Sequence, residues 1–268
     1  MKPQNSHIAH RPSRRSMLKG TIAGVAATGF ALTHLDATST AHAQNIGDDD
    51  DRYYNSNDYN SYDRHWNQNG ANKAITKILN IAITAEELGV IFYSQALKHA
   101  GALGFGPMGL AAIKAALFEE LAHQQFLAKQ GAKPLTNTFS FPYGQDTFNN
   151  FDNFFKVQQQ LESAFIAAYL AAGKEFTNLR RPDLVQIAAQ IGGVEAEHRA
   201  IGRVIGAKQP ANNRVFETAL LKAVGDAPTF LQNSGYLSPK YGNTFTFQHS
   251  DMDYTNLYGR SYSDKDWK

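Results

Sequence analysis

The chain has 268 residues, 43% of them apolar and 19% charged, enough apolar surface for a buried core in one large domain or two small ones. It has no cysteine, which excludes disulfides, thiolate metal sites and a cysteine nucleophile, and it has no apolar run long enough for a permanent membrane span. The formal charge of +2 makes no case for nucleic acid: the first 43 residues hold Lys2, Arg11, Arg14, Arg15 and Lys19 against Asp36, leaving 21 basic and 23 acidic side chains, a net of −2, in the remainder.

Within those first residues stands Ser13-Arg14-Arg15-Ser16-Met17-Leu18-Lys19. A modestly apolar Ala/Gly-rich stretch from Thr21 to Leu32 follows, then Ala41-His42-Ala43 before Gln44. Together these resemble a twin-arginine export signal over residues 1–43, with Met17 where that pattern usually has phenylalanine. The resemblance implies the twin-arginine export machinery as a partner and a periplasmic or otherwise exported location. Substrates of that route travel folded, often with a cofactor in place, which suits a protein that takes up metal before leaving the cytoplasm. Residues 44–70 are rich in Asp, Asn, Ser and Tyr and poor in aliphatic side chains. Such a stretch cannot bury enough surface to offset its ordering entropy and reads as a disordered linker. Asp48 to Asp51 with His65 could hold a cation there, but a solvated linker is the simpler reading.

A first helix is predicted from about Asn72 to His99, ending at Gly101. Ile75, Leu79, Ala82, Glu86, Gly89 and Tyr93 trace one stripe at helical spacing, and Glu86 interrupts its apolar character. An ionised carboxylate there carries a heavy desolvation cost unless it meets a cation. Glu87 is read as its neighbour, exposed or one layer behind it. The second helix, about Met108 to Gln130, places Ile113, Leu117, Glu120, His123 or Gln124, and Leu127 on one face and leaves Glu119 to the side. After Gly131 comes a connection of about twenty residues with Pro134, Pro142 and Gly144, too long for a tight antiparallel turn.

The third helix, about Phe151 to Phe176, repeats the first, with Phe155, Gln159, Glu162, Phe165 or Ile166, and Tyr169 on one face. Pro182 opens the fourth, residues 182–207, where Leu184, Ile187, Ile191, Glu195, His198 and Ile205 fall inward. Gly192, Gly193 and Gly202 weaken that helix and leave room for a neighbour or a bend. A short fifth helix is predicted at about Asn213 to Val224, buried through Val215, Phe216, Leu220 and Leu221. Residues 226–268 are rich in Tyr, Asn, Ser and Gly. They are expected to be irregular, packed on the helices or used to form a homo-oligomer; a cation site at His249, Asp251 and Asp253 is a weaker reading than a polar tail.

Two Glu-x-x-His pairs, Glu120 with His123 and Glu195 with His198, carry the functional reading. Residues three apart share a helix face, so a carboxylate and an imidazole one turn apart can close on one metal ion. With nine Glu and five His after position 43, chance supplies roughly 0.2 such pairs. Each pair is preceded by another glutamate, Glu86 lying 34 residues before Glu120 and Glu162 lying 33 before Glu195. Each of those is followed seven residues later by a tyrosine, Tyr93 and Tyr169. The chain therefore contains an internal repeat of a helix pair.

A glutamate from each of two helices with a Glu-x-x-His from each of two others resembles the ligand set of ferritin-like four-helix bundles. The stretches Asn80 to Tyr93, Phe118 to Leu127, Leu161 to Tyr169 and Gly192 to Gly206 are similar to the branch of that superfamily containing plant desiccation-related proteins and exported bacterial relatives. The similarity spans about residues 72–207. It implies an all-α fold: a ferritin-like four-helix bundle at residues 71–225 with one long crossover between helices two and three, a short fifth helix, and an irregular C-terminal extension. It also implies that Glu86, Glu120, His123, Glu162, Glu195 and His198 hold two iron or two manganese ions.

Four carboxylates and two imidazoles can neutralise two divalent ions, and oxygen donors mixed with imidazole suit iron or manganese. Such a pair can exchange electrons with a small oxidant, oxygen or peroxide, or oxidise ferrous iron. The expected function is thus oxidase, ferroxidase or peroxide removal in oxidative or desiccation stress. The alternative is a non-enzymatic stress protein whose metal is structural or absent. An iron-storage cage fits less well with polar extensions at both ends. Tyr93 and Tyr169 are open between bonding a metal ligand, donating an electron and filling the core. Replacing Glu195 or His198 is expected to abolish metal retention, and replacing Glu119 or Glu197 to leave it nearly unchanged.

Overall fold

The computed structural model describes residues 68–248. Four long helices form the bundle: α1 (Gln68–Lys98), α3 (Pro107–Lys129), α5 (Phe151–Asn178) and α6 (Pro182–Ile205). One-turn helices α2 (Ala100–Leu103) and α4 (Asp146–Asn149) occupy the connections, and α7 (Ala227–Asn233) follows the bundle. Strands β1 (Thr138–Phe139) and β2 (Phe245–Thr246) pair antiparallel, with Phe139 opposite Phe245. This is the all-α bundle with one long crossover that the sequence predicts. Helix α1 packs on α3 and α5 on α6, and the two pairs meet along α1 with α5 and α3 with α6.

Local chemistry sets the helix ends. Asn150 caps α5, its side chain accepting from the Asn153 N–H at 3.1 Å. Pro107 and Pro182 sit in first turns, where a missing N–H costs nothing. Gly104, with a φ of +67°, turns the chain out of α2 through the left-handed region.

The core forms two clusters. One holds Leu88, Phe92, Leu121, Phe141, Phe148, Phe154, Leu161 and Phe245; the other holds Ile75, Leu79, Leu127, Phe176, Leu184 and Ile191. On every long helix the Glu and His residues singled out above fall where one cluster gives way to the other. Apolar packing at both ends thus fixes a polar layer between them.

Two boundaries differ from expectation, and a third region takes one of the two roles left open for it. Helix α1 begins at Gln68, so residues 68–70 of the expected linker are helical, because Ala71 and Ile75 already bury against the core. The helix predicted at 213–224 does not form. Arg199 draws Asn213 to 3.0 Å and Glu217 to 3.2 Å, while Arg203 takes the carbonyls of Pro210 and Ala211, holding the segment in a non-helical path over the bundle. Val215 and Phe216 are consequently 91% and 87% exposed, and of the expected burying edge only Leu221 is buried. The short helix forms later, as α7, with Pro228 in its first turn. Lastly, the region after 226 enters the core. Asn243 holds the Phe141 backbone by two hydrogen bonds of 2.9 and 3.0 Å, and Phe245 sets its ring 5.0 Å from that of Phe141. Residues 1–43, read above as an export signal, and Asp48 to Asp51, His65, His249, Asp251 and Asp253 lie outside the described residues.

Phe141 joins the crossover to the C-terminal region through rings at Phe92, Phe148, Tyr236 and Phe245. Phe141→Ala is expected to cost about 3–5 kcal/mol, whereas Phe216→Ala should stay within about 0.5 kcal/mol. Urea unfolding followed by circular dichroism measures both.

Candidate metal centre

All six residues of the expected ligand set converge. Glu86 comes from α1, Glu120 and His123 from α3, Glu162 from α5, and Glu195 and His198 from α6; the four carboxylates are fully buried. Ligand atoms of Glu86, Glu120, His123 and Glu195 lie within 4.8 Å of one another, and so do those of Glu120, Glu162, Glu195 and His198. Glu120 and Glu195 belong to both groups. The arrangement is therefore two adjoining groups, each of which could hold a metal ion, with two shared carboxylates and one further glutamate and one histidine in each.

Both imidazoles turn Nδ1 inward. His123 Nδ1 is 3.2 Å from Glu86 and 3.3 Å from Glu195; His198 Nδ1 is 3.2 Å from Glu195, 3.4 Å from Glu120 and 3.7 Å from Glu162. No hydrogen bond reaches either oxygen of Glu120, Oε2 of Glu162 or Oε1 of Glu195. Buried carboxylate oxygens without partners carry a large desolvation cost that a bound cation removes.

Burial and the neighbouring charges shift the proton affinity of these groups. Burial pushes Glu162 up to about 7 against the pull of His198, and burial together with Glu195 raises Glu120 well above the usual carboxylate range. Burial would raise Glu195 too, but the His123 and His198 imidazoles beside it outweigh burial and hold Glu195 at about 2. For His123 burial opposes the charge, yet the Glu86 and Glu195 carboxylates bring it up to about 9.

The tyrosines cross between helix pairs. Tyr93 of α1 donates its hydroxyl proton to Glu162 of α5, and Tyr169 of α5 donates to Glu86 of α1. Of the three roles left open by the sequence, the geometry displays two: each ring fills a core cluster, and each hydroxyl bonds a carboxylate of the expected ligand set. Each phenol is held well above its usual pKa by burial and by the carboxylate it faces. Gly89 makes a different contribution: a Cβ there would stand 2.5 Å from Oε2 and 2.7 Å from Cδ of Glu120, so only glycine lets that carboxylate lie between α1 and α3.

One expectation is corrected and one reading left open is narrowed. Glu119, read as lying to the side, hydrogen-bonds His198 Nε2 at 2.8 Å, which fixes the ring with Nδ1 toward the centre. Glu87, read as exposed or one layer back, is 3% exposed and accepts from Gln124 Nε2 at 3.4 Å, and burial pushes it up to about 7. Helix phase misses the Glu119 contact, because it describes a residue's own helix and not the side chain it meets on the next. Gln158 was likewise missed: it donates to the His198 carbonyl at 2.7 Å, and its amide fills the space beside Gly202, where a Cβ would come within 2.1 Å.

Residues 75–207, the span that carries all six side chains, match the family model of the ferritin-like domain. Comparison with curated proteins and with solved structures gives no match.

Two outcomes follow for the metal-free protein. Glu87 and Glu162, raised to about 7, and His123, raised to about 9, bind more protons folded than unfolded above their ordinary pKa values. Their contribution is thus lost as pH rises from about 4.5 to 9, whereas that of Glu195 is lost as pH falls from 4.5 toward 2. The melting temperature in chelator should peak near pH 4–5 and decline toward pH 9. Gly89→Ala is expected to destabilise by about 1–3 kcal/mol through overpacking. Gly193→Ala, with open space at its Cβ, should stabilise by about 0.5–1 kcal/mol; thermal unfolding compares the two.

Proposed function

We propose that this protein, whose residues 75–207 match the family model of the ferritin-like domain, binds two iron or two manganese ions between its four helices and uses them as an oxidoreductase acting on oxygen, peroxide or ferrous iron. The observation that carries the reading is the pair of adjoining sites sharing Glu120 and Glu195, with buried carboxylate oxygens that no hydrogen bond satisfies. The donor set suits the group: carboxylate oxygens mixed with two imidazoles favour iron or manganese, and no thiolate is present to favour copper(I) or an iron–sulfur cluster. Glu86 and His123 would hold one ion, Glu162 and His198 the other, and Glu120 and Glu195 would contact both. Bound there, the metals supply one-electron exchange with a small oxidant.

The chain's own groups do the rest. Tyr93 and Tyr169 each hold a proton on a phenol oxygen against Glu162 and Glu86 and orient those carboxylates. Leu88, Phe92, Leu121 and Leu161, each at most 1% exposed, close the layer on one side and exclude water, which strengthens every electrostatic contact within it.

The setting is read from the sequence. The pattern at residues 13–43 supports export by the twin-arginine route to the periplasm, and the resemblance to desiccation-related proteins supports a role in oxidative or drying stress. No helix among the described residues is long and apolar enough to cross a membrane. Beyond its substrate, the proposed partners are the export machinery and, through the exposed Val215 and Phe216, a second copy of the chain. A non-enzymatic reading, in which the ions only hold the bundle together, draws on the same buried carboxylates.

Elemental analysis of natively expressed protein, followed by peroxide-decay and ferrous-oxidation assays, separates the readings. Two ions per chain with turnover is the expected result; two ions without turnover favours the structural reading, and no bound metal contradicts both. Glu195→Ala and His198→Ala should lose the ions, while Glu197→Ala, exposed on α6, should retain them.

A further inference from the structure

Gly173 of α5 and Gly192 and Gly193 of α6 stand where these two helices face each other. Glycine inside a helix is destabilising relative to alanine. Packing accounts for Gly192, since a Cβ there would stand 3.2 Å from the Cβ of Tyr169. It does not account for the other two: a Cβ at Gly173 or Gly193 would meet nothing within 4 Å, and neither has a positive φ. Both instead border one space, a cavity of about 410 Å³ between α5 and α6 that opens to solvent. That volume lies within the range of small-molecule sites.

The cavity has apolar walls and one uncompensated charge. Ile166 and Leu170 of α5 and Val185 and Ala188 of α6 line it, and Leu170 is 49% exposed. It follows α5 from Ile166 to Thr177, a length of about 16 Å at the helical rise. Three side chains with free polar ends border it: Glu217, Thr177 and Lys174. Glu217 is neutralised by Arg199 at 3.2 Å and Arg214 at 2.6 Å, and Arg214 also bonds Ser163, which sets this carboxylate toward the Ile166 end. Thr177 donates its hydroxyl proton to the Gly173 carbonyl at 2.9 Å. Lys174 is exposed and forms no ion pair among the described residues; Glu175 beside it accepts from the Val224 N–H at 2.6 Å, and Arg181 and Asp183 at the turn beyond pair with each other. A single ammonium therefore marks the end of an apolar trough.

We propose that this cavity binds an elongated aliphatic carboxylate of the fatty-acid class, its chain along Ile166, Leu170 and Val185 and its head on Lys174. The walls are aliphatic and suit a methylene chain, while the ammonium selects an anionic head. Tyr169 closes the inner side of the cavity, and its hydroxyl donates to Glu86. The bound chain thus lies one side chain away from the carboxylate layer without opening that layer to water. The site stands independently of any metal.

Isothermal titration calorimetry of full-length protein with decanoate, on natively expressed protein and again after chelation, tests the assignment. One molecule per chain is expected in both, with octanoate about tenfold weaker for its two missing methylenes and decylammonium weaker than decanoate. Gly193→Phe places a ring in the cavity and should abolish binding, as should Leu170→Asp at its half-exposed wall; thermal melting confirms that each variant is folded. Lys174→Glu should weaken decanoate by about 3–10-fold. Phe216→Ala, on the exposed apolar segment outside the cavity, should leave binding unchanged. No decanoate binding, binding unaltered in folded Gly193→Phe or Leu170→Asp, decylammonium binding as tightly as decanoate, or binding lost in Phe216→Ala would overturn it. Such a failure leaves the metal reading standing, and absence of metal leaves this site standing.

Discussion

Four glutamates buried side by side are the constraint on which this fold turns. Each would carry a desolvation cost of several kcal/mol if ionised and alone, and their mutual repulsion raises that cost further. Two histidines cannot neutralise all four, and burial raises Glu162 to about 7 and Glu120 well above the usual carboxylate range. Two divalent cations, the proposed occupants, would balance the same four charges.

Everything around that layer serves to keep it in place. Apolar clusters above and below anchor all four helices, so the ligands cannot retreat to solvent without opening the core. The two tyrosines brace opposite helix pairs by bonding across the centre, and Gly89 yields the space that Glu120 fills. The C-terminal region adds a strand and a set of aromatic rings to one end of the bundle, stiffening the long crossover that connects its halves. The halves are related by repetition yet are not interchangeable. Glu119, Gln158 and Arg199 gather around His198, while Glu87 and Gln124 stand beside His123.

Much of this was legible in the chain. The four helices follow from apolar periodicity, and the doubled Glu-x-x-His with upstream Glu86 and Glu162 marks a common face on each helix. Those six residues meet because their phase on each helix is inward and the helices are antiparallel neighbours. What stayed hidden depends on contacts between helices. Glu119 lies off its own helix's inward face yet reaches His198 on another, and the periodicity of α3 carries no information about α6. The helix expected at 213–224 failed because Arg199 and Arg203 capture the segment's polar groups, an effect of distant side chains that local propensity does not contain. Phe245 and Phe247 enter the core from a stretch whose Tyr, Asn and Gly content reads as irregular, because strand pairing with residues a hundred positions earlier leaves no short-range signal.

The most direct test of the central claim is a crystal structure of metal-loaded protein with anomalous diffraction collected at the manganese and iron edges. Two anomalous peaks between α1, α3, α5 and α6, bound by Glu86 and His123 on one side, Glu162 and His198 on the other, and shared by Glu120 and Glu195, are the predicted result. Peaks elsewhere on the chain, or a layer in which these carboxylates stay protonated and closed on one another in excess metal, would contradict the account.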